Sequence, residues 1–384
     1  LIVVMKNKFG FIIFLLFFFN CSNNSTDHGN TFMGYGSDNS GGLGGDTIFV
    51  TNLNDKGPGS LRHALKANSS RIVEFLVNGN IDLKSPIVIS SGNLTINGPI
   101  YPKIGITLLN YGLQFIENCS NVIIRDIRIK AGKGGTTAAG DCLAFHADND
   151  GSINNILVDH CSLMWASDEI FETYGKVTNL TCQYSIIAEA EDEFNPGEGK
   201  NGRGWLSGIN SSNISIHHCL FAHNGDRNPL FKGGGPYEFI NNIVYNWFNN
   251  NATKIIQGAK VDIINNIYIP GLSSNLISGF IFPDNPELKT HLFVSGNDFA
   301  RNKFNTQWDN VTWYNSIDGS PYVHKPAPQS FRANNRLGKS NIIIDKTRFV
   351  YKNVLNNVGA RSYDLDDLRI INEVKNRSGE IGKP

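Results

Sequence analysis

Charge is scarce in this chain. Only 18% of its 384 residues are Asp, Glu, Lys or Arg, below the roughly one quarter of an ordinary soluble domain. The 34 basic and 34 acidic side chains cancel. A net charge of zero leaves no global field for nucleic acid or an anionic membrane, so a charged substrate has to be met by a local patch. The six cysteines, Cys21, Cys119, Cys142, Cys161, Cys182 and Cys219, include no Cys-x-x-Cys pair and no framework-like spacing. That argues against a zinc site and against a disulfide scaffold. No helix-length periodic segment separates the strand-like runs, which excludes alternating βαβ folds. Long apolar runs are missing apart from residues 9–19, too few to span a bilayer comfortably.

Glycine is frequent, at 39 residues, Asn is abundant, and short Ile/Val/Leu runs recur. This mixture fits an all-β repeat protein with many turns, and a chain of this length is two ordinary domains or one solenoid. The N-terminus has its own character. Met5-Lys6-Asn7-Lys8, the apolar run and then Asn20-Cys21-Ser22 make a secretory signal over residues 1–20, with translation expected to start at Met5. Cys21 resembles a lipoprotein cleavage and lipidation site, the alternative being ordinary cleavage near Ser22. Residues 21–45, rich in Asn, Ser and Gly, read as a flexible tether. The expected destination is secretion or a bacterial outer surface, with membrane contact only through that lipid.

The domain is expected over residues 46–384. Ser60 caps a short helix carrying Leu61, Ala64 and Leu65 on one face, suited to covering an open solenoid end. Strand-sized runs follow at residues 72–77, 87–89, 94–96, 106–109 and 122–129. Ile124-Arg125-Asp126-Ile127 then aligns with five later segments whose third residues are His160, Tyr184, His218, Asn242 and Asn266, at intervals of 34, 24, 34, 24 and 24 residues. A period near 24 without an internal helix is a coil of three short strands, stacked about 4.8 Å apart. His160 and His218 become ladder residues rather than catalytic histidines. Cys161 and Cys219, two coils apart at roughly 10 Å, lie beyond disulfide reach. The two long intervals carry insertions at residues 131–150 and 189–208, and insertions of this kind map to loops, often on a binding face.

Those insertions frame the charged residues. Asp141, Asp168 and Glu172 come together if the coils stack, with Glu169 an alternate for Glu172. Clustered carboxylates suit Ca2+, a glycosidase acid/base pair, or merely a solvated acidic rim. Arg227 and Lys232 beside them would grip an anionic sugar. Arg227 could also be a structural ion-pair residue, since a guanidinium acts as a base only in a special setting.

Several stretches taken together are more specific. They are Val50-Thr51-Asn52-Leu53-Asn54-Asp55 with Gly57-Pro58-Gly59-Ser60-Leu61-Arg62, Asn121-Val122-Ile123-Ile124-Arg125, Asp159-His160-Cys161-Ser162 with Trp165 and Asp168-Glu169, Arg227-Asn228-Pro229, and Asn242-Ile243-Val244-Tyr245-Asn246-Trp247. In this order they resemble the extracellular pectate lyases of polysaccharide lyase family 1, the Bacteroidetes-type secreted members in particular, over about residues 44–384. The resemblance implies a right-handed single-stranded parallel β-helix and Ca2+-dependent β-elimination of α-1,4-linked polygalacturonate. It implies Asp141, Asp168 and Glu172 as calcium ligands, Arg227 as the base, and Lys200 and Lys232 as substrate-binding residues. The chain departs from the family at Ala139, where a second carboxylate is usual, at Glu172 in place of Asp, and at Lys232 in place of Arg. Other readings are a pectin lyase or galacturonan hydrolase on the same fold, or a non-catalytic carbohydrate-binding β-helix. A solenoid of this kind needs no partner, so a monomer is expected. Ile264 to Ile269 reads as the last clear coil, and residues 273–384 as an irregular bracing segment. Within it Trp308, Trp313 and Tyr314 pack on the helix side or stack on sugars, and Leu365, Leu368, Ile371 and Val374 form the face of one terminal helix.

Overall fold

A computed structural model describes residues 31–100, 104–132, 140–147, 150–191, 202–248, 252–274, 281–283, 289–300, 306–314 and 324–382. Cys21 and the signal segment lie outside the described residues, as does Lys200. The strands are short, because Gly, Asn and other turn residues interrupt the chain every few positions. They follow in a fixed cycle, first sheet, second sheet, third sheet, and each coil pairs in parallel with the one before. Among the described residues the three sheets hold ten, nine and eight strands. This is the parallel β-helix expected from the repeat, and it has the right hand that the family resemblance implied.

Inward-facing residues stack in columns. One runs Ile96, Ile124, Val158, Cys182, Ile216, Phe239, Ile263 and Val294 through successive strands of the first sheet. Cys182 stands in that column as a small apolar filler, and the five described cysteines are buried and free. Six successive coils leave the first sheet through a single residue in the left-handed region, at Asp126, His160, Tyr184, His218, Asn241 and Asn265. His160, Tyr184 and His218 stack there, with ring centroids 5.1 and 4.9 Å apart. The register corrects the sequence alignment by one residue at its end. His217 pairs with Ile240, so Asn241 and Asn265 occupy the corner. Asn242 and Asn266 follow it inside, where Asn242 accepts from the Cys219 amide at 2.8 Å and Asn266 from the Asn242 amide at 2.9 Å. Consecutive Asn pairs hide this shift in the sequence.

Three coverings close the solenoid. Helix α1 (Leu61–Leu65) buries Leu61, Ala64 and Leu65, with Ser60 Oγ accepting from His63 N. The second covering corrects the tether. Residues 33–42 lie on the outer face of the first sheet, where Gly36 N donates to Thr181 Oγ1 at 2.9 Å and Gly42 N to Thr95 Oγ1 at 2.9 Å. A Cβ on Gly36 would sit 2.1 Å from the Ile156 carbonyl, so only glycine allows that approach. The third covering is a pair of helices, α2 (Thr347–Asn357) and α3 (Leu365–Asn376). Strands such as Ile186–Ala188, Leu220–Ala222 and Ile243–Tyr245 are apolar at every position, so both faces of the second sheet require cover. Val350, Val354, Ile370, Ile371 and Val374 supply it.

The terminal helix thus differs from its sequence reading. Its buried stripe is Asp367, Ile370, Ile371 and Val374, while Leu365 is 84% exposed and Leu368 45%. The solenoid also runs past Ile269, through strands Ile281–Pro283, His291–Ser295 and Asp298–Phe299. Trp308 packs against the core and donates from Nε1 to the Ala327 carbonyl at 2.9 Å. The side chains of Trp313 and Tyr314 lie outside the described residues.

Candidate active site

Both insertions fall at the corner between the second and third sheets. The charged residues gather at that corner and along the outer face of the third sheet. Asp141 precedes strand Leu143–Ala147, Asp168 precedes strand Glu169–Gly175, and Arg227 precedes strand Leu230–Lys232. Between the last two lies strand Arg203–Ser207. Parallel register sets Glu169 beside Arg203, and Arg203 beside Asp226. Another outward row runs Ala144, Glu172, Leu206, Leu230 and Lys254. Carboxylates from two neighbouring coils are therefore followed along the solenoid by cations from the next three.

The carboxylates converge in two groups that share Asp141. Ligand atoms of Asp141, Asp168 and Glu169 all lie within 4.8 Å of one another, as do those of Asp141, His146 and Glu172. Asp141 Oδ1 accepts from the Glu169 amide at 3.0 Å, and His146 Nε2 is 2.6 Å from Glu172 Oε2. Burial, reinforced by the Glu172 and Asp168 charges, raises the Asp141 carboxyl well above the usual carboxylate range. Such crowding favours a shared proton or a bound cation.

Two arginines answer the other carboxylates. Arg203 forms an ion pair with Asp168, and Arg227 with Glu169. Burial lowers the Arg227 guanidinium below its ordinary range, against the opposing pull of Asp168 and Asp141. The backbone around Arg227 is tightly held. Its own φ is +56°, its amide donates to Asp226 Oδ1 at 2.7 Å, and Asp226 pairs with Lys254 at 2.6 Å. Asn224 Nδ2 donates to Asn228 Oδ1 at 3.0 Å, and Asn228 Nδ2 to the Asn224 carbonyl at 3.1 Å. A Cβ on Gly204 would come within 2.6 Å of the Arg227 carbonyl, so that coil must be bare for the turn to lie on it.

Asp141, Asp168, Glu169, Glu172 and Arg227 are thus brought together. Glu169, read from the sequence as the alternate, sits in the all-oxygen group, while Glu172 faces His146. Lys232 lies on the same outer face, one row from Glu172 and beside Ile256, and no ion pair joins it to these carboxylates among the described residues. His146, Arg203 and Lys254 went unnoticed in the sequence. Arg203 was findable, because it lies one 34-residue interval after Glu169. His146 carried no signal, being diagonal to Glu172 rather than opposite it.

No protein-family model matches the chain. Curated relatives do. Over 248 residues it is 37% identical to a probable pectate lyase C of Neosartorya fischeri, a match covering 63% of this chain and 54% of that protein. Over 266 residues it is 35% identical to a probable pectate lyase C of Emericella nidulans, covering 69% and 55%. The chain spans about half the length of these relatives. Among solved structures, a doubly substituted pectate lyase from Xanthomonas campestris superposes with a TM-score of 0.60 at 18% identity, covering 86% of this chain and 98% of that one. The major allergen of cedar pollen superposes with a TM-score of 0.57 at 16% identity, covering 86% and 93%. The fold is that of the parallel β-helix polysaccharide lyases. The chain is a homologue of the pectate lyases and carries the fold of polysaccharide lyase family 1.

Proposed function

We propose that this chain is an exported pectate lyase that cleaves polygalacturonate or pectin by β-elimination, with Arg227 as the base. The observation that carries the reading is the meeting of Arg227 with Glu169 beside Asp141 and Asp168, on one face of a chain homologous to pectate lyases. An outer face that carries carboxylates together with Arg203, Arg227, Lys232 and Lys254 suits a polyanionic sugar, which brings its own negative charge and is held by the cations. A pectate lyase of the same fold has been solved with a hexasaccharide bound, at 16% identity and a TM-score of 0.56.

The residues fit Ca2+. Asp141, Asp168 and Glu169 offer hard oxygen donors at separations that one cation can bridge, and the buried Asp141 carboxyl is crowded by like charge. We place the ion in this group, with Glu172 at its edge. When bound, calcium would neutralise the cluster and draw electron density from the uronate carboxylate, acidifying the C5 proton. Arg227 takes that proton, the C4–O bond breaks, a C4=C5 double bond forms, and the departing oxygen is protonated by water. Partial burial favours the neutral guanidine that a base requires. Lys232 and, from the insertion ahead of Arg203, Lys200 are proposed to bind substrate carboxylates. Cys21 is the proposed lipid anchor of a monomeric surface or secreted enzyme.

The experiment is absorbance in the unsaturated-uronide band with polygalacturonate, with and without EDTA. A chelator-sensitive rise is expected. New reducing ends without absorbance would mean hydrolysis instead.

A further inference from the structure

We propose that helix α3 is a positioning element of the active corner, with Arg369 and Glu373 holding the backbone from which Asp168 and Arg227 project. The inference rests on the site proposed above and adds to it two residues from the far end of the chain.

Four successive strands of the second sheet end in register at Met164, Ala188, Ala222 and Tyr245. The residues that follow them, Trp165, Glu189, His223 and Asn246, have φ of +65°, +55°, +57° and +54°. Side chains other than glycine rest in this conformation only where their surroundings hold them. From this column the chain turns toward the site. Trp165 lies three residues ahead of Asp168, Glu189 opens the second insertion, and His223 lies four residues ahead of Arg227.

Helix α3 grips the column side chain by side chain. Asp366, Arg369 and Glu373 lie on one face, three and four residues apart, beside the apolar stripe of Ile370, Ile371 and Val374 that covers the second sheet. Arg369 donates from both terminal nitrogens to the Glu189 carboxylate, at 2.7 and 2.8 Å. Trp165 Nε1 donates to the same carboxylate at 2.9 Å, so one guanidinium ties two corner residues. His223 Nδ1 accepts from Asn246 Nδ2 at 2.8 Å. That leaves the imidazole proton on Nε2, 3.1 Å from Glu373 Oε2. Gly379 closes over this pair, since a Cβ there would stand 2.7 Å from Glu373 Oε2 and 2.8 Å from His223 Cε1.

The corner passes the constraint to the site. The Glu191 amide donates to the Ala166 carbonyl at 2.9 Å and the Ala190 amide to Asn224 Oδ1 at 3.0 Å, while Asn224 grips Asn228 beside Arg227. Covering the sheet needs only the buried stripe of α3. Arg369 and Glu373 stand outside that stripe, and each fixes a left-handed turn residue a few positions ahead of a site residue. A shift of about an ångström in such residues is enough to slow chemistry severely.

The test compares full-length Arg369→Ala, Glu373→Ala and Ile370→Ala proteins. Unsaturated product is assayed at saturating Ca2+, well below each melting temperature, and hydrogen–deuterium exchange is read on peptides spanning 165–170 and 223–230. Glu373→Ala should lower kcat about tenfold and leave KM within about twofold, because it frees the turn that bears Arg227. Arg369→Ala should raise KM about fivefold or more, because it frees Asp168 and the insertion that begins at Glu189. Glu373→Gln still accepts from His223 and should restore kcat to within about twofold of wild type. Arg369→Lys lacks the fork and should not restore KM. Exchange should quicken in 223–230 for Glu373→Ala and in 165–170 for Arg369→Ala, by about tenfold. Ile370→Ala, which touches the apolar stripe alone, should change neither the kinetics nor exchange at the corner. Kinetic losses that follow melting temperature across all three variants overturn the proposal, and so does unchanged exchange at the corner. The two readings fail separately. Wild type without unsaturated product would sink the lyase assignment, and the exchange comparison would still decide what α3 holds.

Discussion

Arg227 and Glu169, two coils apart, form an ion pair across the intervening strand Arg203–Ser207. The Glu169 side chain is 4% exposed, so it depends on that guanidinium or on a cation to remain charged. The residue proposed to take the substrate proton is therefore also the one that balances the carboxylate cluster in the absence of an ion.

Arg227→Ala tests both roles at once. Loss of a positioned base should lower kcat by about 10²–10⁴-fold. Glu169, left without its partner, should destabilise the chelated protein by about 1–3 kcal/mol, and Ca2+ should narrow that gap. Steady-state kinetics and melting curves with and without EDTA read the two effects. Activity within a few fold of wild type would remove Arg227 from the chemistry.

Metal binding should register as stability. An ion that binds only the folded chain adds about 2.7 kcal/mol at a free concentration 100 times its Kd, so EDTA should lower the Tm of wild type. Asp168→Asn should lose most of the Ca2+ increment, and a Ca2+ response equal to wild type would take Asp168 out of the ligand set.

Away from the site, Asp367 should make the stability of the fold depend on pH. It is a fully buried residue of α3, and burial, aided by the Asp364 charge, raises its carboxyl from 3.8 to about 6. A carboxyl raised in the folded state prefers to stay protonated there. Its contribution is fully present below its unfolded pKa and is lost as pH rises through about 6. Asp367→Asn should therefore gain on wild type as pH increases through that range, by thermal melting at several pH values. Parallel stability curves would contradict this.

The two faces of α3 should respond unequally. Ile370→Ala removes a fully buried contact with the second sheet and should cost about 2–5 kcal/mol. Leu365→Gln, at an 84% exposed position, should stay within about 0.5 kcal/mol. Comparable losses in denaturant titrations would mean that the helix seats differently.

Much of this molecule was legible in local patterns. The repeat near 24 residues announced the coil, because each strand must return to the same sheet before the next begins. The same count retired His160 and His218 to a stacked corner column and marked the two insertions, one containing Asp141 and the other Lys200. Local patterns failed where a residue's role depends on what covers it. Residues 33–42 look like a linker, since glycines that allow a backbone to lie against a sheet are indistinguishable in sequence from glycines that merely keep it loose. Leu365 and Leu368 look like a core stripe, yet the stripe that meets the second sheet is rotated away from them.

The sequence by itself determined the coil, the columns and the residue types of the site, because these follow from periodic side chains and turn residues along one strand of chain. Tertiary structure alone decided the partnerships: Arg227 with Glu169, Arg203 with Asp168, and His146 with Glu172. Those pairs join residues 58, 35 and 26 positions apart, and which of several nearby charges meet depends on the register and diagonal offsets of stacked coils, set to within about one residue step.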